Sequence, residues 1–418
     1  MVPNGWQIKT VGQLFEVQLG KMLNKAAKEK FPQYPYLGNS DVRWGYFKLS
    51  ELKSMYFSQR EEEKFTLEDG DILMCEGGEV GRCAIWNSGN TQVYYQKALH
   101  RLRGKGDIEP EYFQAYMSFI NGTKLLDDFT TKTSIAHLTR EKLVEVPVKT
   151  PPLPEQRKIA KILSTWDKAI STTEKLLETS KQQKKNLMQQ LLTGKKRLRS
   201  SPIDGAEAGK VFEGEWEEVK LSHLFDRMTE KNKGQSTNVV TISAQHGLIR
   251  QQEFFKKSVA SETLDNYFIL RKGQFAYNKS YSNGYPMGAI KRLNRYDDAV
   301  VTSLYICFAI KDEAKTSSCF MEQYFESGLL NRGLTKVAAE GGRAHGLLNV
   351  KPSDFMGLSL IVPTFDEQQK IASVLTAADK EIEVFNAKLA YLKQEKKALM
   401  QQLLTGKRRV KIDEVEVA

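Results

Sequence analysis

The side chains that could carry out catalysis are scattered along the 418-residue chain. The histidines share no motif, and no H-E-x-x-H run that would bind zinc from one helix face occurs. The cysteines form no C-x-x-C pair, so we expect buried thiols in a reducing cytoplasm rather than a zinc ribbon or a disulfide framework. The histidines are His100, His137, His223, His246 and His345, and the cysteines are Cys75, Cys83, Cys307 and Cys319.

Three short runs resemble fragments of phosphate-binding or methyltransferase motifs. L-T-G-K-K at residues 192–196 lacks the earlier glycine and the following hydroxyl residue of a phosphate loop. G-G-E-V-G at residues 77–81 predicts a tight turn between two strands. T-P-P-L at residues 150–153 lacks the flanking residues of the Asp/Asn-Pro-Pro-aromatic motif of amino-methyltransferases. We therefore expect no catalysis, no metal site and no cofactor on this chain.

Composition points to a folded, basic protein. Hydrophobic residues make up 40% of the chain, and no run of about 18 apolar residues that could span a membrane occurs. The start M-V-P-N-G-W carries no export signal, so we expect a cytoplasmic protein without a membrane partner. A formal net charge of +11 favours an anionic partner, and nucleic acid is the first candidate. Charge alone also fits a basic protein that binds no nucleic acid.

The elements that must position any functional side chain are repeated. The run L-M-Q-Q-L-L-T-G-K occurs at residues 187–195 and again at 399–407, 212 positions later. Each copy closes a helical pattern that opens with E-Q-x-K-I-A, at Glu155 and at Glu367. A fixed period of this kind is typical of repeated structural units.

Apolar residues in each helical pattern step alternately by four and three, which predicts a coiled-coil seam. About 39 helical residues at about 1.5 Å each predict a rod about 58 Å long. Because one apolar stripe cannot remain in water, the two helices must pack on each other or on a partner. The first seam is Ile159, Leu163, Trp166, Ile170, Thr173, Leu177, Ser180, Lys184, Leu187 and Leu191. The second is Ile371, Leu375, Ala378, Ile382, Phe385, Leu389, Leu392, Lys396, Leu399 and Leu403.

Lys184 and Lys396 occupy equivalent seam positions in the two repeats. We expect both to extend out of the helix pair so that the ammonium groups reach water. A role in fixing the register of the helices is the alternative.

The rest of the chain divides between two globular domains. Their ends are alike, with Leu14-Phe15 matching Leu224-Phe225, whereas their middles differ, and mixed strand and helix patterns predict α+β domains. The linker between Lys195 and Trp216 is nearly as long as the residues before Trp6 and those after Lys407 taken together. The order of the segments therefore resembles a circular chain that has been cut once. The predicted segments are a first domain at residues 1–150, a first helix at 151–195, a linker at 196–211, a second domain at 212–362, a second helix at 363–407 and a tail at 408–418.

These features resemble the specificity subunit of type I restriction-modification systems. The family combines two variable target-recognition domains with repeated helices that open with P-L-P-E-Q-R-K-I-A, as at residues 152–160 and 363–372, with Asp366 replacing the second proline. The resemblance extends over essentially the whole chain, and the runs at residues 67–82 and 277–290 are similar to recognition-domain patterns.

The resemblance implies an α+β fold in which two target-recognition domains are separated by an antiparallel coiled coil with pseudo-twofold symmetry. Each domain would read half of an asymmetric, bipartite site in double-stranded DNA, and the helices would set the gap. The partners would be two modification (methyltransferase) subunits, which bind S-adenosylmethionine, and the translocating restriction subunits. The chain itself would carry no catalytic residue.

DNA contacts require basic side chains for phosphates and polar side chains on exposed loops for base edges. For the first domain we predict contacts from Tyr36, Asn39, Asp41, Arg43, Trp44, Lys132, Thr133 and Ser134. For the second we predict Asn278, Lys279, Tyr281, Asn283, Tyr285, Arg343 and His345. The alternative for each is a solvated loop residue or, for the aromatic residues, a core anchor.

Two other function classes remain open at this point. One is a non-enzymatic coiled-coil scaffold that binds protein or RNA, although a scaffold has no reason to keep its two domains dissimilar. The other is a chain that acts alone as a nuclease or methyltransferase. Side-chain identity without loop geometry does not reveal the target bases, the spacer length or the adenines that are modified.

Overall fold

The computed structural model of the chain describes residues 2–87, 89, 91–131, 136–200, 209–254, 263–338 and 348–412. The chain forms two compact units. Unit 1 combines Met1–Glu174 with Ala387–Ala418, and unit 2 is Lys175–Asn386. Each unit therefore holds one globular domain together with part of each long helix.

Unit 1 opens with short strands and helices and ends in the first long helix. Its elements are β1 (Gln7–Thr10), α1 (Val11–Leu14), β2 (Phe15–Leu19), α2 (Lys25–Glu29), β3 (Gln33–Leu37), a 3-10 turn (Asn39–Asp41), β4 (Val42–Arg43), β5 (Tyr46–Phe47), β6 (Lys53–Tyr56), α3 (Gln59–Phe65), β7 (Ile72–Cys75), β8 (Cys83–Ile85), β9 (Tyr94–Tyr95), β10 (Leu99–Gly104), α4 (Pro110–Ile120), α5 (Lys124–Asp127), α6 (Arg140–Leu143), β11 (Pro147–Thr150) and α7 (Leu153–Leu191), which continues into unit 2.

Unit 2 has the same order of elements at its two ends. Its elements are β12 (Glu217–Lys220), α8 (Leu221–Leu224), β13 (Phe225–Met228), β14 (Val240–Ser243), β15 (Gly247–Arg250), α9 (Gln251–Phe254), β16 (Phe268–Arg271), β17 (Phe275–Asn278), β18 (Ala289–Arg292), β19 (Asp298–Val301), β20 (Ile306–Ile310), α10 (Ser318–Glu326), α11 (Asn331–Val337), α12 (Pro352–Met356), β21 (Ser359–Val362) and α13 (Phe365–Leu403), which continues into unit 1.

The main sheets of the two units have the same topology. The order is β2-β10-β7-β8 in unit 1 and β13-β20-β17-β18 in unit 2, with every pair antiparallel. A two-stranded pair, β1 with β11 or β12 with β21, precedes each long helix. The predicted match of Leu14-Phe15 to Leu224-Phe225 falls where α1 passes into β2 and α8 into β13. The domains therefore share more than the similar ends of their sequences indicate.

The elements outside this shared frame differ. Unit 1 adds the three-stranded sheet β6-β3-β9 and the hairpin β4-β5, whereas unit 2 adds the pairs β14-β15 and β16-β19. The difference lies in the middles of the domains, where the two sequences diverge.

Each domain packs on both long helices. The core of unit 1 includes Ile159 and Leu163 of α7 with Leu403 at the end of α13. The core of unit 2 includes Leu191 at the end of α7 with Ile371 and Leu375 of α13. Full burial of a leucine or isoleucine side chain contributes about 1.5–3 kcal/mol, so these contacts hold the helices firmly against each domain.

The long helices match the sequence prediction closely. Each has 39 residues, which corresponds to about 58 Å. Even Thr173 and Ser180, the polar members of the first seam, are buried, and the Thr173 hydroxyl donates to Ala169 O. Both helices end at a glycine with positive φ, Gly194 at 70° and Gly406 at 73°, which is the usual helix C-terminal conformation.

Candidate nucleic-acid interface

The glutamine of each E-Q-x-K-I-A motif fixes the globular domain to the start of a long helix. The amide oxygen of Gln156 accepts from Glu109 N at 2.9 Å, and that of Gln368 accepts from Ser317 N at 2.9 Å. Glu109 and Ser317 are the residues that precede α4 and α10. Each amide also donates back to the proline carbonyl five residues earlier. The motif therefore sets where α4 and α10 begin relative to the helix pair.

The glutamate of each motif is buried and bound by an arginine. In unit 1, Arg409 Nε and Nη2 donate to the two oxygens of Glu155 at 2.6 and 2.7 Å, and Trp6 Nε1 donates at 3.0 Å. In unit 2, Arg197 makes the same two bonds to Glu367, also at 2.6 and 2.7 Å. Unit 1 thus makes, with residues 254 positions apart, the arrangement that unit 2 makes with residues 170 positions apart.

The seam lysines form ion pairs with the opposite helix. Lys184 Nζ lies 2.5 Å from Asp379 Oδ1 in unit 2, and Lys396 Nζ lies 2.5 Å from Asp167 Oδ1 in unit 1. The lysine side chains are only 14% and 19% exposed, so the expectation that they extend into water is wrong. Because the two pairs are related by the 212-residue repeat, they are suited to hold the antiparallel helices in register.

In unit 1 the β4-β5 hairpin carries the most accessible of the predicted DNA-contacting residues. Arg43 is exposed on this hairpin, and Gly45 takes a φ of 79° at its turn. Tyr46, which the sequence did not single out, is 62% exposed beside them. An arginine and a tyrosine on a short exposed hairpin are chemically suited to phosphate and base contacts.

Other predicted residues of unit 1 position this hairpin. Trp44 Nε1 donates to Glu79 Oε1 at 2.6 Å, and Arg82 bridges Glu79 at 3.1 Å to Asn39 Oδ1 at 2.8 Å. Asn39 Nδ2 in turn donates to Gly77 O at 2.8 Å.

Asp41 and Tyr36 have structural roles in the same region. Asp41 Oδ2 accepts from Gly38 N at 2.8 Å and so closes a local turn. Tyr36 is 6% exposed in the core of the domain, where burial raises the pKa of its phenol and Asp41 raises it further. The prediction that Tyr36 contacts DNA does not fit this placement, because its ring packs inside the domain.

In unit 2 the most exposed of the predicted residues lie on the loop of residues 279–288, which connects β17 to β18. Asn278 Oδ1 accepts from Ser280 N at 3.0 Å, Leu348 N donates to Lys279 O at 3.1 Å, and Tyr277 OH donates to Met287 O at 2.8 Å. At the tip, Tyr281 is 62% exposed and Asn283 is also exposed. The loop is therefore anchored at its base and presents an aromatic and an amide side chain at its tip.

Tyr285 has a different role from the exposed tip of this loop. Its hydroxyl donates to Glu326 at the end of α10, and Lys291 Nζ lies 2.5 Å from the other oxygen of Glu326. Burial raises the pKa of the Tyr285 phenol, and Glu326 raises it further, so the phenol keeps the proton that it donates.

The remaining predicted residues are Lys132, Thr133, Ser134, Arg343 and His345, which lie outside the described residues. Sequence reasoning also missed the supporting residues Glu79, Arg82, Lys291 and Glu326. Glu79 and Arg82 lie within the recognition-domain run at residues 67–82, but their partners are too distant in sequence for any local pattern to reveal.

Across the part of the chain that the structure describes, no group of three or more His, Cys, Asp or Glu side chains is placed to hold a metal ion. Within the same residues, no helix combines the length and the apolar character needed to cross a membrane.

Comparison with known proteins gives a consistent result. Residues 3–182 match the model of the type I restriction modification DNA specificity domain. The chain is 24% identical to the MjaVIII type I restriction enzyme specificity subunit of Methanocaldococcus jannaschii, over 98% of this chain and 94% of that protein. It is 25% identical to the putative MjaX specificity subunit of the same organism, over 98% and 95%.

Solved structures show the same fold. The type I restriction-modification S subunit from M. genitalium matches with a TM-score of 0.56 at 15% identity, over 96% of this chain and 97% of that one. The HsdS subunit from Thermoanaerobacter tengcongensis matches with a TM-score of 0.50 at 16% identity, over 97% and 98%. Taken with the repeated frame, these matches show that the chain is similar in sequence to type I restriction enzyme specificity subunits and similar in fold to solved S subunits of type I restriction-modification systems.

Proposed function

We propose that this chain is the non-catalytic reading subunit of a type I restriction-modification complex and that each unit reads one half of an asymmetric, bipartite DNA site. The observation that carries the proposal is the combination of one repeated frame with two dissimilar exposed elements. Unit 1 presents the β4-β5 hairpin with Arg43 and Tyr46, and unit 2 presents the 279–288 loop with Tyr281 and Asn283. Dissimilar side chains on dissimilar elements are suited to reading two different base sequences.

The helix pair serves as the spacer in this proposal. Seam ion pairs and buried glutamate–arginine pairs occur once in each unit, so the frame offers two equivalent surfaces. Two copies of one partner fit such a frame, and we assign them to two modification subunits. These subunits supply S-adenosylmethionine and the methyl transfer, and the restriction subunits join the cytoplasmic complex.

The test is methylation by the assembled complex. The chain, purified alone and then with its modification subunit, is given S-adenosylmethionine and a library of duplexes, and methylated adenines are located by sequencing. We expect methylation only from the assembled complex, at a two-part site with a fixed gap. Robust methylation by the lone chain, with contaminants excluded, would overturn the non-catalytic assignment.

A domain exchange tests the assignment of half-sites. Residues 212–362 are replaced by the second domain of another type I system, and the methylated sequence is determined again. We expect one half of the site to change and the other to remain. Affinity should keep its salt dependence, because phosphate contacts do not depend on sequence. A change in both halves would rule out independent reading.

A further inference from the structure

Two sets of polar contacts in unit 2, one at the helix seam and one at the exposed loop, meet on α10. Lys184 Nζ lies 2.5 Å from Asp379 Oδ1, and Gln323 Nε2 donates to Asp379 Oδ2 at 2.7 Å. Gln323 lies on α10, one helical turn before Glu326, which holds Tyr285 and Lys291. The helix α10 therefore carries both sets, with Gln323 bonded to Asp379 of α13 and Glu326 bonded to Tyr285 of the loop of residues 279–288.

Members of both sets are enclosed together. Lys184, Lys291, Gln323, Glu326 and Asp379 line one cleft of about 440 Å³. Gln323 is 7% exposed, and its Oε1 has no hydrogen-bond partner among the described residues. A buried amide is normally paired through both its oxygen and its nitrogen, so the bond from Nε2 to Asp379 is the contact that orients this side chain.

In the described part of unit 1, no polar side chain stands in the place of Gln323, although Asp167 and Lys396 line a cleft together with Trp44 and Tyr46 of the hairpin. Glu109 and Ser317 each donate a backbone N–H to the motif glutamine just before α4 and α10, so these two residues are equivalent. Counting from them, Ala115 is the counterpart of Gln323, and Ser118 is the counterpart of Glu326. Asp167 keeps its ion pair with Lys396, but an alanine at position 115 has no polar group to reach it. The two units share the seam pair and differ in what connects it to the domain.

We propose that Gln323 and Glu326 are positioning residues that couple the helix seam to the reading loop of unit 2, and that unit 1 has no such coupling. The proposal rests on the proposed function, because it takes the 279–288 loop as the element that reads the second half-site. Each contact orients the next side chain. Lys184 orients the carboxylate of Asp379, Asp379 orients the amide of Gln323, and Glu326 orients the phenol of Tyr285. Disturbing the seam in unit 2 should therefore alter base reading, whereas the same disturbance in unit 1 should alter stability alone.

The experiment compares matched variants in the complex with the modification subunits. Asp379→Ala and Asp167→Ala remove the same seam carboxylate from the two units, and Gln323→Ala gives unit 2 the side chain found at position 115. Discrimination is the ratio of dissociation constants for duplexes with a correct and an altered half-site. We expect Asp379→Ala and Gln323→Ala to lower discrimination of the second half-site roughly five- to twentyfold, within the usual range of coupling between sites. Asp167→Ala should leave discrimination of the first half-site within about twofold of wild type.

Conservative variants separate positioning from folding. Glu326→Gln retains an oxygen that accepts from Tyr285 but loses the acceptor for Lys291, so it should keep part of the discrimination, whereas Glu326→Ala should lose it. Thermal unfolding of each variant is measured in parallel. If Asp379→Ala does not fold, the comparison of Gln323→Ala and Glu326→Gln with the wild type still tests the proposal.

The outcomes distinguish this proposal from the proposed function. If the wild-type complex shows no preference at either half-site, the proposed function fails. If the wild type discriminates both half-sites and Gln323→Ala remains within twofold of it at the second, the coupling does not exist. An equal loss for Asp167→Ala at the first half-site would show a general effect of helix stability, and it would also overturn the proposal.

Discussion

Arg409 binds both carboxylate oxygens of Glu155, which precedes it by 254 residues. The end of the chain thereby closes over the start of α7. The same guanidinium donates to Asn4 O at 2.9 Å, and Arg197 donates likewise to Gly214 O at 2.9 Å in unit 2. One arginine in each unit thus holds a buried carboxylate and the segment that leads into the domain.

Removal of these arginines should destabilise the two units unequally. Arg409→Ala leaves Glu155 with the bond from Trp6 Nε1, whereas the equivalent Trp216 Nε1 has no partner among the described residues. A buried carboxylate without its partner costs about 3–5 kcal/mol in full burial, and partial exposure of the arginines reduces this to about 1–3 kcal/mol. We expect Arg197→Ala to cost more than Arg409→Ala. Hydrogen exchange at residues 153–160 reports the Glu155 site, and exchange at residues 365–372 reports the Glu367 site. A larger loss of protection at residues 153–160 in Arg409→Ala than at residues 365–372 in Arg197→Ala would contradict the inference that Trp6 holds Glu155 when the arginine is removed.

Charge reversal should reveal the register function of the seam lysines. Lys396→Glu places a carboxylate against Asp167, and the urea midpoint should fall, whereas Lys396→Glu with Asp167→Lys should recover most of the loss. Because Asp167 is 58% exposed, the coupling energy should be only about 0.5–1 kcal/mol. Lys397→Glu, at an exposed neighbouring position, is the control. Equal effects at positions 396 and 397 would show that the pair has no specific role.

A heptad insertion tests whether the helices set the gap between half-sites. Seven residues added after Thr173 and after Ala387 preserve both seams and lengthen each helix by about 10.5 Å. At about 3.4 Å per base pair, the preferred spacer should grow by roughly three base pairs. Binding should also weaken, because three base pairs rotate the half-sites by about a third of a helical turn. If the variant folds and still prefers the original number of base pairs between half-sites, the helices do not set that spacing.

Arg43 and Tyr36 should respond in opposite ways to truncation. Arg43 is exposed on the hairpin, so Arg43→Ala should leave stability within about 0.5 kcal/mol while weakening DNA binding. If Arg43 contacts a phosphate, the salt dependence should become shallower by about one counterion, and if it contacts a base, specificity at one position should relax by about 1–3 kcal/mol. Tyr36→Ala should instead cost about 3–5 kcal/mol of stability, because it empties a core position. Unchanged DNA binding by Arg43→Ala would remove the hairpin from the interface.

The sequence predicted those parts of the fold that depend on periodicity. The helices α7 and α13 follow from the heptad spacing, and their ends follow from Gly194 and Gly406. The shared order of the main sheets, β2-β10-β7-β8 and β13-β20-β17-β18, could not be predicted. Strand order depends on contacts between distant residues, which leave no local pattern.

The candidate site shows the same division. The sequence located the hairpin at Arg43 and the loop at Tyr281, because turn-forming residues mark both. It could not separate these exposed residues from Asn39 and Trp44, whose partners Arg82 and Glu79 lie 43 and 35 positions away in sequence. The polarity of a side chain indicates that it forms hydrogen bonds, but not whether the partner is the protein itself or DNA.

The matching arginine contacts in the two units also bear on how such a gene could change. In unit 2 the contact from Arg197 to Gly214 joins residues 17 positions apart, whereas in unit 1 the equivalent contact from Arg409 to Asn4 joins residues 405 positions apart. The contact therefore forms equally well whether its two sides are near or distant along the chain. A gene that encodes two such units is free to vary the middle of one unit while the frame of both is kept. Under the proposed function, a new DNA target then requires replacement of only one half of the gene.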